Sequence, residues 1–213
     1  LVHRFSFLSS YFDPNYIGFG ALRVINEGRV APSAGFPTHP HQNIEIISYV
    51  VSGALEHKDS LGTGSVIRPG DLQRMTAGKG VRHSEYNHSK SEGVHFLQIW
   101  IVPEEDGLTP SYEQKAFTTQ EKTNALRLIG SRDGRDGSVV IHQDVNLYAS
   151  LLGADRNVTH EITQGRKVWL QVVQGKISVN GQSLSSGDGL GVLDEGHLTL
   201  IAQENAELLV FDL

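Results

Sequence analysis

A chain of 213 residues, 38% hydrophobic and 20% charged with a net charge of −6 at pH 7, can bury two small cores and is too apolar to stay unfolded. Lysine and arginine are scattered singly, without the basic patch that direct nucleic-acid binding uses, and no apolar run approaches the ~18 residues of a membrane helix. The absence of cysteine excludes disulfides, thiolate metal sites and cysteine nucleophiles, and is compatible with a cytoplasmic location.

Glycine is abundant, 23 residues, and apolar residues recur mostly with period two, the pattern of short strands joined by tight turns. The first clear strand is Ile44-Glu45-Ile46-Ile47-Ser48-Tyr49-Val50-Val51, rich in β-branched and aromatic residues and stopped by Ser52-Gly53. His95 to Val102 reads as another, ended by Pro103. The acidic, proline-bearing stretch from Pro103 to Pro110 reads as a linker, and Ser111 to Ala116 as a short helical or extended connector. Val168 to Val173, Lys176 to Val179, His197 to Ile201 and Glu207 to Phe211 complete the strands, with Asn180-Gly181 a strong hairpin signal. No long helical periodicity appears. These boundaries predict a first domain over residues 1–105, a connector over 106–134 and a second domain over 135–213. The first residue is leucine, not methionine, so a few further residues are expected ahead of it.

The two halves look alike. Ile46 to Leu55 can be laid on Trp169 to Ile177 with Gly53 and Gly175 as the anchors, and a Gly-Asp follows in each half, Gly70-Asp71 and Gly187-Asp188. A shortened hairpin explains the smaller interval in the second half. The pattern favours two copies of one β module.

One cluster carries chemistry. In Thr38-His39-Pro40-His41 the two histidines stand at i and i+2, which point to the same face of a strand. Arg82-His83-Ser84-Glu85 repeats that spacing far downstream, after a Gly78-Lys79-Gly80 turn. If the two strands lie side by side, three imidazoles and a carboxylate converge and leave open positions on an octahedral cation. Such a set suits Fe(II), Mn, Ni, Cu or Zn. His-x-His alone is common by chance, and the second pair is what turns the reading towards a metal.

The remaining candidates are weaker. His57, flanked by Glu56, Lys58 and Asp59, reads at least as well as a solvated strand end as it does as a pocket residue, and His95 can take either face. His3, His88, His142, His160 and His197 have no partner at ligand spacing. Glu45, four residues past His41, is expected on the inward face as a support or a ligand. Phe36 and Met75 either line an apolar pocket or pack in the core. Counting from Gly175 and Gly196, the second half offers Glu161, Thr163, Thr199 and Ile201 at the matching positions, so no second metal site is expected.

Three runs in order resemble the pirin family of bicupin proteins: Gly35 to Glu45, Glu56 to Gly62, and Pro69 to Glu85. The similarity also takes in Phe5-Ser6-Phe7, Gly20 to Asn26 and Gln98 to Ile101, and is weakest after about residue 150. The resemblance implies an all-β fold of two cupin-type barrels joined by a short connector, with one divalent metal in the N-terminal barrel. It implies His39, His41, His83 and Glu85 as ligands, and Fe(II) as the native ion. Bacterial members that look like this chain open flavonols such as quercetin with dioxygen, and eukaryotic members are associated with transcription-factor partners. Relatives carry a longer segment ahead of Phe5-Ser6-Phe7, so pocket closure or stability is expected to differ here.

The leading expectation is therefore a metal-dependent dioxygenase, with Glu85 accepting the proton of a flavonol hydroxyl and the metal acting as Lewis acid and template. Its partners would be a small aromatic substrate and dioxygen, with no nucleic acid and no membrane. A non-enzymatic redox or regulatory module would instead present a surface to a protein partner. A metal-dependent sugar isomerase would need Lys79 and Arg82, which flank the site in sequence, to converge.

Overall fold

The computed structural model describes residues 18–213, so His3 and the Phe5-Ser6-Phe7 stretch lie outside the described residues. Two compact units emerge. One runs to Ala116 and takes in Val139–Gln143; the other holds Phe117–Ser138 and Asp144–Leu213. Both are built of antiparallel strands, as the all-β expectation required.

In the first unit β1 (Leu22–Val30), β8 (Val94–Ile101), β3 (Glu45–Ser52), β6 (Asp71–Thr76) and β9 (Ser111–Ala116) form one sheet in the order β1-β8-β3-β6-β9. A second sheet runs β2-β7-β4-β5, from β2 (Gly35–His41), β7 (Val81–Asn87), β4 (Leu55–Asp59) and β5 (Gly64–Ile67). Glu45 to Val50 are all buried, which is why β3 reads as a near-continuous apolar run. β7 alternates instead, so Val81, His83, Glu85 and Asn87 share the inward face. β2 contains Pro37 and Pro40, which cannot donate to a ladder, and its edge position tolerates them. Ser111–Ala116, open between helix and extended chain in the sequence, is a strand because it pairs with β6. The residues ahead of it are tied in as well: Gly107 N donates to Asn43 Oδ1 and Lys79 N to the Leu108 carbonyl, both at 2.9 Å.

Register stacks the inward side chains of the first sheet in rows. Trp100, Ile46, Met75 and Tyr112 are cross-strand neighbours; two residues along come Asn26, Gln98, Ser48, Gln73 and Gln114; then Phe96 and Val50. Ile46 and Met75 pack with Ala77 and Val81, while Phe96 and Val50 pack with Leu55, Ile67 and Val94 across the two sheets. Each such buried side chain contributes about 1.5–3 kcal/mol relative to exposure. A polar belt thus lies between two apolar layers.

The second unit repeats the plan. β10 (Arg127–Ser131), β12 (Asn146–Leu152), β19 (Ala206–Asp212), β14 (Val168–Gln174) and β17 (Gly189–Val192) are neighbours in that order. β13 (Asn157–Glu161), β18 (His197–Ala202), β15 (Lys176–Val179) and β16 (Gln182–Ser185) make the facing sheet. The one-turn α1 (Thr119–Lys122) is held by a capping box between Thr118 and Glu121. β11 (Val139–Val140) belongs with the first unit, where the Val140 carbonyl accepts from Arg74 Nε at 2.8 Å.

The repeat seen in the sequence has a physical basis. Gly53 and Gly175 both turn with positive φ, 80° and 82°, and a Cβ at either would come within 2.5 Å of a backbone carbonyl oxygen. After each Gly-Asp pair the carboxylate caps its own turn: Asp71 accepts from Arg68 N at 2.9 Å and Asp188 from Ser185 N at 2.8 Å. The loop from Ser60 to Thr63, longer than the Asn180-Gly181 turn, accounts for part of the difference in interval, and the longer β4 for another part.

Candidate metal centre

β2 and β7 pair so that His39 stands opposite His83, with a bulge between Phe36 and His39 that re-aims the histidine end of β2. The ring centroids of His39 and His83 are 4.4 Å apart, those of His39 and His41 4.8 Å, and those of His41 and His83 5.0 Å. One nitrogen from each of the three lies within 4.8 Å of the others. His39 Nδ1 is 2.8 Å from the Pro37 carbonyl. A carbonyl only accepts, so the proton sits on Nδ1 and the lone pair on Nε2. His83 is 1% exposed and neither of its nitrogens has a hydrogen-bond partner. Burial, with the neighbouring His39, His41 and His57, pushes His83 down to about 3; burial and His39 push His41 down to about 4. Both are therefore neutral at pH 7, the form that ligates.

Glu85 reaches into the polar belt. Ser48 Oγ donates to one carboxylate oxygen at 3.3 Å and Gln98 Nε2 to the other at 2.5 Å. Burial raises Glu85 to about 7 against the opposing pull of those two hydrogen bonds. Its carboxylate forms a second group of donors with His83 and His57, again within 4.8 Å of one another. The four expected residues thus fall, with His57, into two overlapping triads that share His83: a half-buried one of His39, His41 and His83 and a buried one of His57, His83 and Glu85.

His57 is the residue that sequence reasoning undervalued. It is fully buried, and its Nε2 lies 3.0 Å from Asp59 Oδ2, whose side chain is equally buried. Alternation along β4 explains this. Glu56 and Lys58 pair with each other on the outer face, while His57 and Asp59 face inward, His57 directly opposite Glu85 and Asp59 opposite His83. Burial lowers the His57 pKa, partly offset by Asp59. The signal was the period of two inside the charged tetrapeptide itself.

This donor set fits a divalent cation. A buried polar atom without a partner costs about 1–3 kcal/mol, and both nitrogens of His83 are in that state. A cation would take up a lone pair there and favour the ionised form of Glu85.

Other expected positions fall elsewhere. Glu45 faces the opposite side of β3 from Ser48 and accepts from His142, at 3.2 Å from its backbone nitrogen and 3.1 Å from Nδ1. The count from His41 fails because Gln42 to Ile44 leave the strand, with Asn43 at a φ of 50°, so parity does not carry across. His95 pairs with Glu27, His88 with Glu56 and His160 with Asp212, while His197 is exposed. Met75 is core, whereas Phe36 is 46% exposed. Gly78 closes the turn ahead of β7, where a Cβ would meet the Leu108 carbonyl oxygen at 1.9 Å. A groove of about 470 Å³ beside the cluster is lined by Pro40, His41, Gln42, Ser60, Gly80, Val81 and Arg82. Lys79 is not part of that lining, so the two cations do not converge there.

Known proteins are similar to this chain in sequence and fold. The sequence pattern of the family described as Pirin matches residues 1–101, and that of the Quercetinase C-terminal cupin domain matches residues 128–213. The chain is 46% identical over 211 residues to the protein named quercetin 2,3-dioxygenase of Escherichia coli (strain K12), across 99% of this chain and 90% of that one. This chain belongs to the pirin family. As a pirin it is also 39% identical over 211 residues to the pirin-like protein of Caulobacter vibrioides, covering 99% of this chain and 90% of that one. The solved structure of the bacterial pirin YhhW from Escherichia coli, in complex with nickel(II), matches with a TM-score of 0.93 at 46% identity, over 99% of this chain and 90% of that one. The bicupin fold is thereby established, and the His/Glu cluster together with the nickel of that relative supports a divalent metal in this pirin. Among the described residues no helix is long and apolar enough to cross a membrane.

The second barrel of this pirin corrects the expected counterparts. Aligned by register on Gly53 and Gly175, His39, His83 and Glu85 correspond to His160, Leu198 and Leu200, not to the positions first counted. Counting backwards assumed equal loops, and the loops differ. Among the described residues, no group of three or more close metal donors occurs in that unit.

Proposed function

We propose that this pirin is a metal-dependent dioxygenase that opens flavonols such as quercetin with dioxygen, releasing carbon monoxide and a depside. The N-terminal cupin, residues 1–105, would carry the chemistry, with 106–134 as connector and 135–213 as a cupin without a metal. His39, His41, His83 and Glu85 would hold one divalent ion, Fe(II) natively. The single observation that carries this reading is the cluster of three imidazoles, His83 buried and His39 and His41 half-buried, close to the buried carboxylate of Glu85 beside the polar belt. The relative at 46% identity carries the name of that activity.

When bound, the ion supplies Lewis acidity and a template for a hydroxyl and its neighbouring carbonyl. The chain's own residues do the rest. Trp100, whose ring lies 5.2 Å from that of His41, and Ile46 offer an apolar surface for an aromatic ring. Glu85 accepts the proton of the 3-hydroxyl on a carboxylate oxygen, and Gln98 and Ser48 keep that carboxylate oriented while the proton moves.

The test is flavonol loss and carbon monoxide release on protein loaded with iron, manganese or nickel. Turnover should fall to background in His41→Ala. Protein that binds each ion and turns over with none would defeat the proposal.

A further inference from the structure

The metal centre holds more donors than a three-histidine, one-glutamate site requires, and the surplus one is built with care. His57 Nε2 lies against Asp59 Oδ2 at 3.0 Å, and an ionised carboxylate can only accept. The ring proton is therefore on Nε2 and the lone pair on Nδ1. That Nδ1 is buried and has no hydrogen-bond partner. Its ring centroid stands 5.3 Å from that of His83, and its residue faces Glu85 across the β4–β7 ladder. Asp59 is itself fixed: its Oδ1 accepts from Leu61 N at 2.9 Å and Thr63 N at 3.0 Å, so the carboxylate cannot swing away. A carboxylate that orients an imidazole whose other nitrogen is free is the support that metal-ligating histidines ordinarily have.

We infer that His57, oriented by Asp59, is a fifth donor of the centre, so that an inner set of His57, His83 and Glu85 lies beside an outer set of His39, His41 and His83. The inference rests on the metal-centre reading above. The ligand is a divalent transition ion, and the shared His83 lets one ion be held by either set. The ion could then stay bound while a donor of the outer set yields its place to a substrate oxygen.

Cobalt(II) and copper(II), added singly to chelator-treated full-length protein, are the probes. The His39→Ala, His41→Ala double variant should still bind one cobalt, with affinity weakened about 10- to 100-fold. Adding His57→Gln should remove that binding. In the otherwise unaltered chain, His57→Gln should shift the visible bands of bound cobalt and reduce the nitrogen splitting in the copper electron paramagnetic resonance spectrum. Asp59→Asn guards against a folding artefact. It keeps the oxygen that accepts from Leu61 and Thr63, yet presents an amide N–H to the ring, which moves the imidazole proton to Nδ1. It should copy the His57→Gln spectra with unchanged far-ultraviolet circular dichroism. A double variant that binds no cobalt, or a His57→Gln protein with unaltered affinity and spectra, overturns the inference. Unaltered protein that binds no cobalt would instead defeat the metal-centre reading itself.

Discussion

The two barrels share a plan and differ in what fills them. In the first, Ser48, Gln98 and Gln73 form a cross-strand belt beneath His57, His83 and Glu85. At the corresponding positions of the second, register places Leu170, Val210 and Leu190 beneath Val179, Leu198 and Leu200. The consequence is visible in the packing. Leu170, Val179, Leu198, Leu200 and Val210 belong to one continuous core cluster, whereas the first barrel's apolar side chains form separate clusters either side of the belt. Even the shared histidine has changed role: His160, the counterpart of His39, is held by Asp212, which also pairs with Arg166. A barrel can spend its interior on donors or on packing, and this chain does one in each half.

The sharpest way to break that contrast is to write the first barrel's chemistry into the second. Leu200→Glu should destabilise the protein by about 3–5 kcal/mol, because it puts an unpaired carboxylate into a buried apolar core cluster. Chemical denaturation would measure it. A change below about 1 kcal/mol would mean that the second interior is more accommodating than its packing indicates.

The reverse transplant is His83→Leu, which copies Leu198. It removes the residue common to both donor groups, so cobalt or nickel affinity should fall at least about 100-fold. The metal-free protein should gain about 1 kcal/mol, since two unpartnered buried nitrogens disappear. Titration calorimetry and denaturation of the same sample separate the two effects. Gln98→Val, copying Val210, should act more gently. Glu85 keeps its bond from Ser48 and loses the one from Gln98, and metal affinity should drop about 10-fold.

Much of this contrast could be read in the sequence, and the rest could not, for definite reasons. His39, His41, His83 and Glu85 were legible because a period of two survives along any strand, and β2 and β7 are strands where those residues stand. His57 carried the same period but was masked by Glu56 and Lys58, whose charges suggested solvent on both faces. The belt of Gln98, Ser48 and Gln73 had no linear signature, because three separate strands assemble it. Glu45 was placed on the wrong face because parity does not pass through Gln42 to Ile44. The counterparts in the second barrel were off by one residue for the same reason: spacing is kept within strands and lost in loops.

The smallest effect concerns the mouth of the second barrel, where an ion pair stands in place of the first barrel's aromatic. Register aligns Asp212 with Trp100. Burial alone would raise the Asp212 carboxyl, but hydrogen bonds from His160 and Arg166 outweigh it and hold the pKa below its ordinary value. A carboxylate depressed on folding stabilises the native state above its unfolded pKa of about 3.9, and that stabilisation is lost as pH falls through the lower folded value. Unaltered protein should therefore be more stable than Asp212→Asn by on the order of 1 kcal/mol at pH 6, with the two converging as the solution is acidified below about pH 4. Denaturation midpoints of the pair, compared at each pH, cancel the titration of groups that do not contact Asp212, leaving Asp212 with its partners His160 and Arg166. A gap that persists unchanged at low pH would show that Asp212 acts through shape alone, and would remove the charge from the contrast between the two mouths.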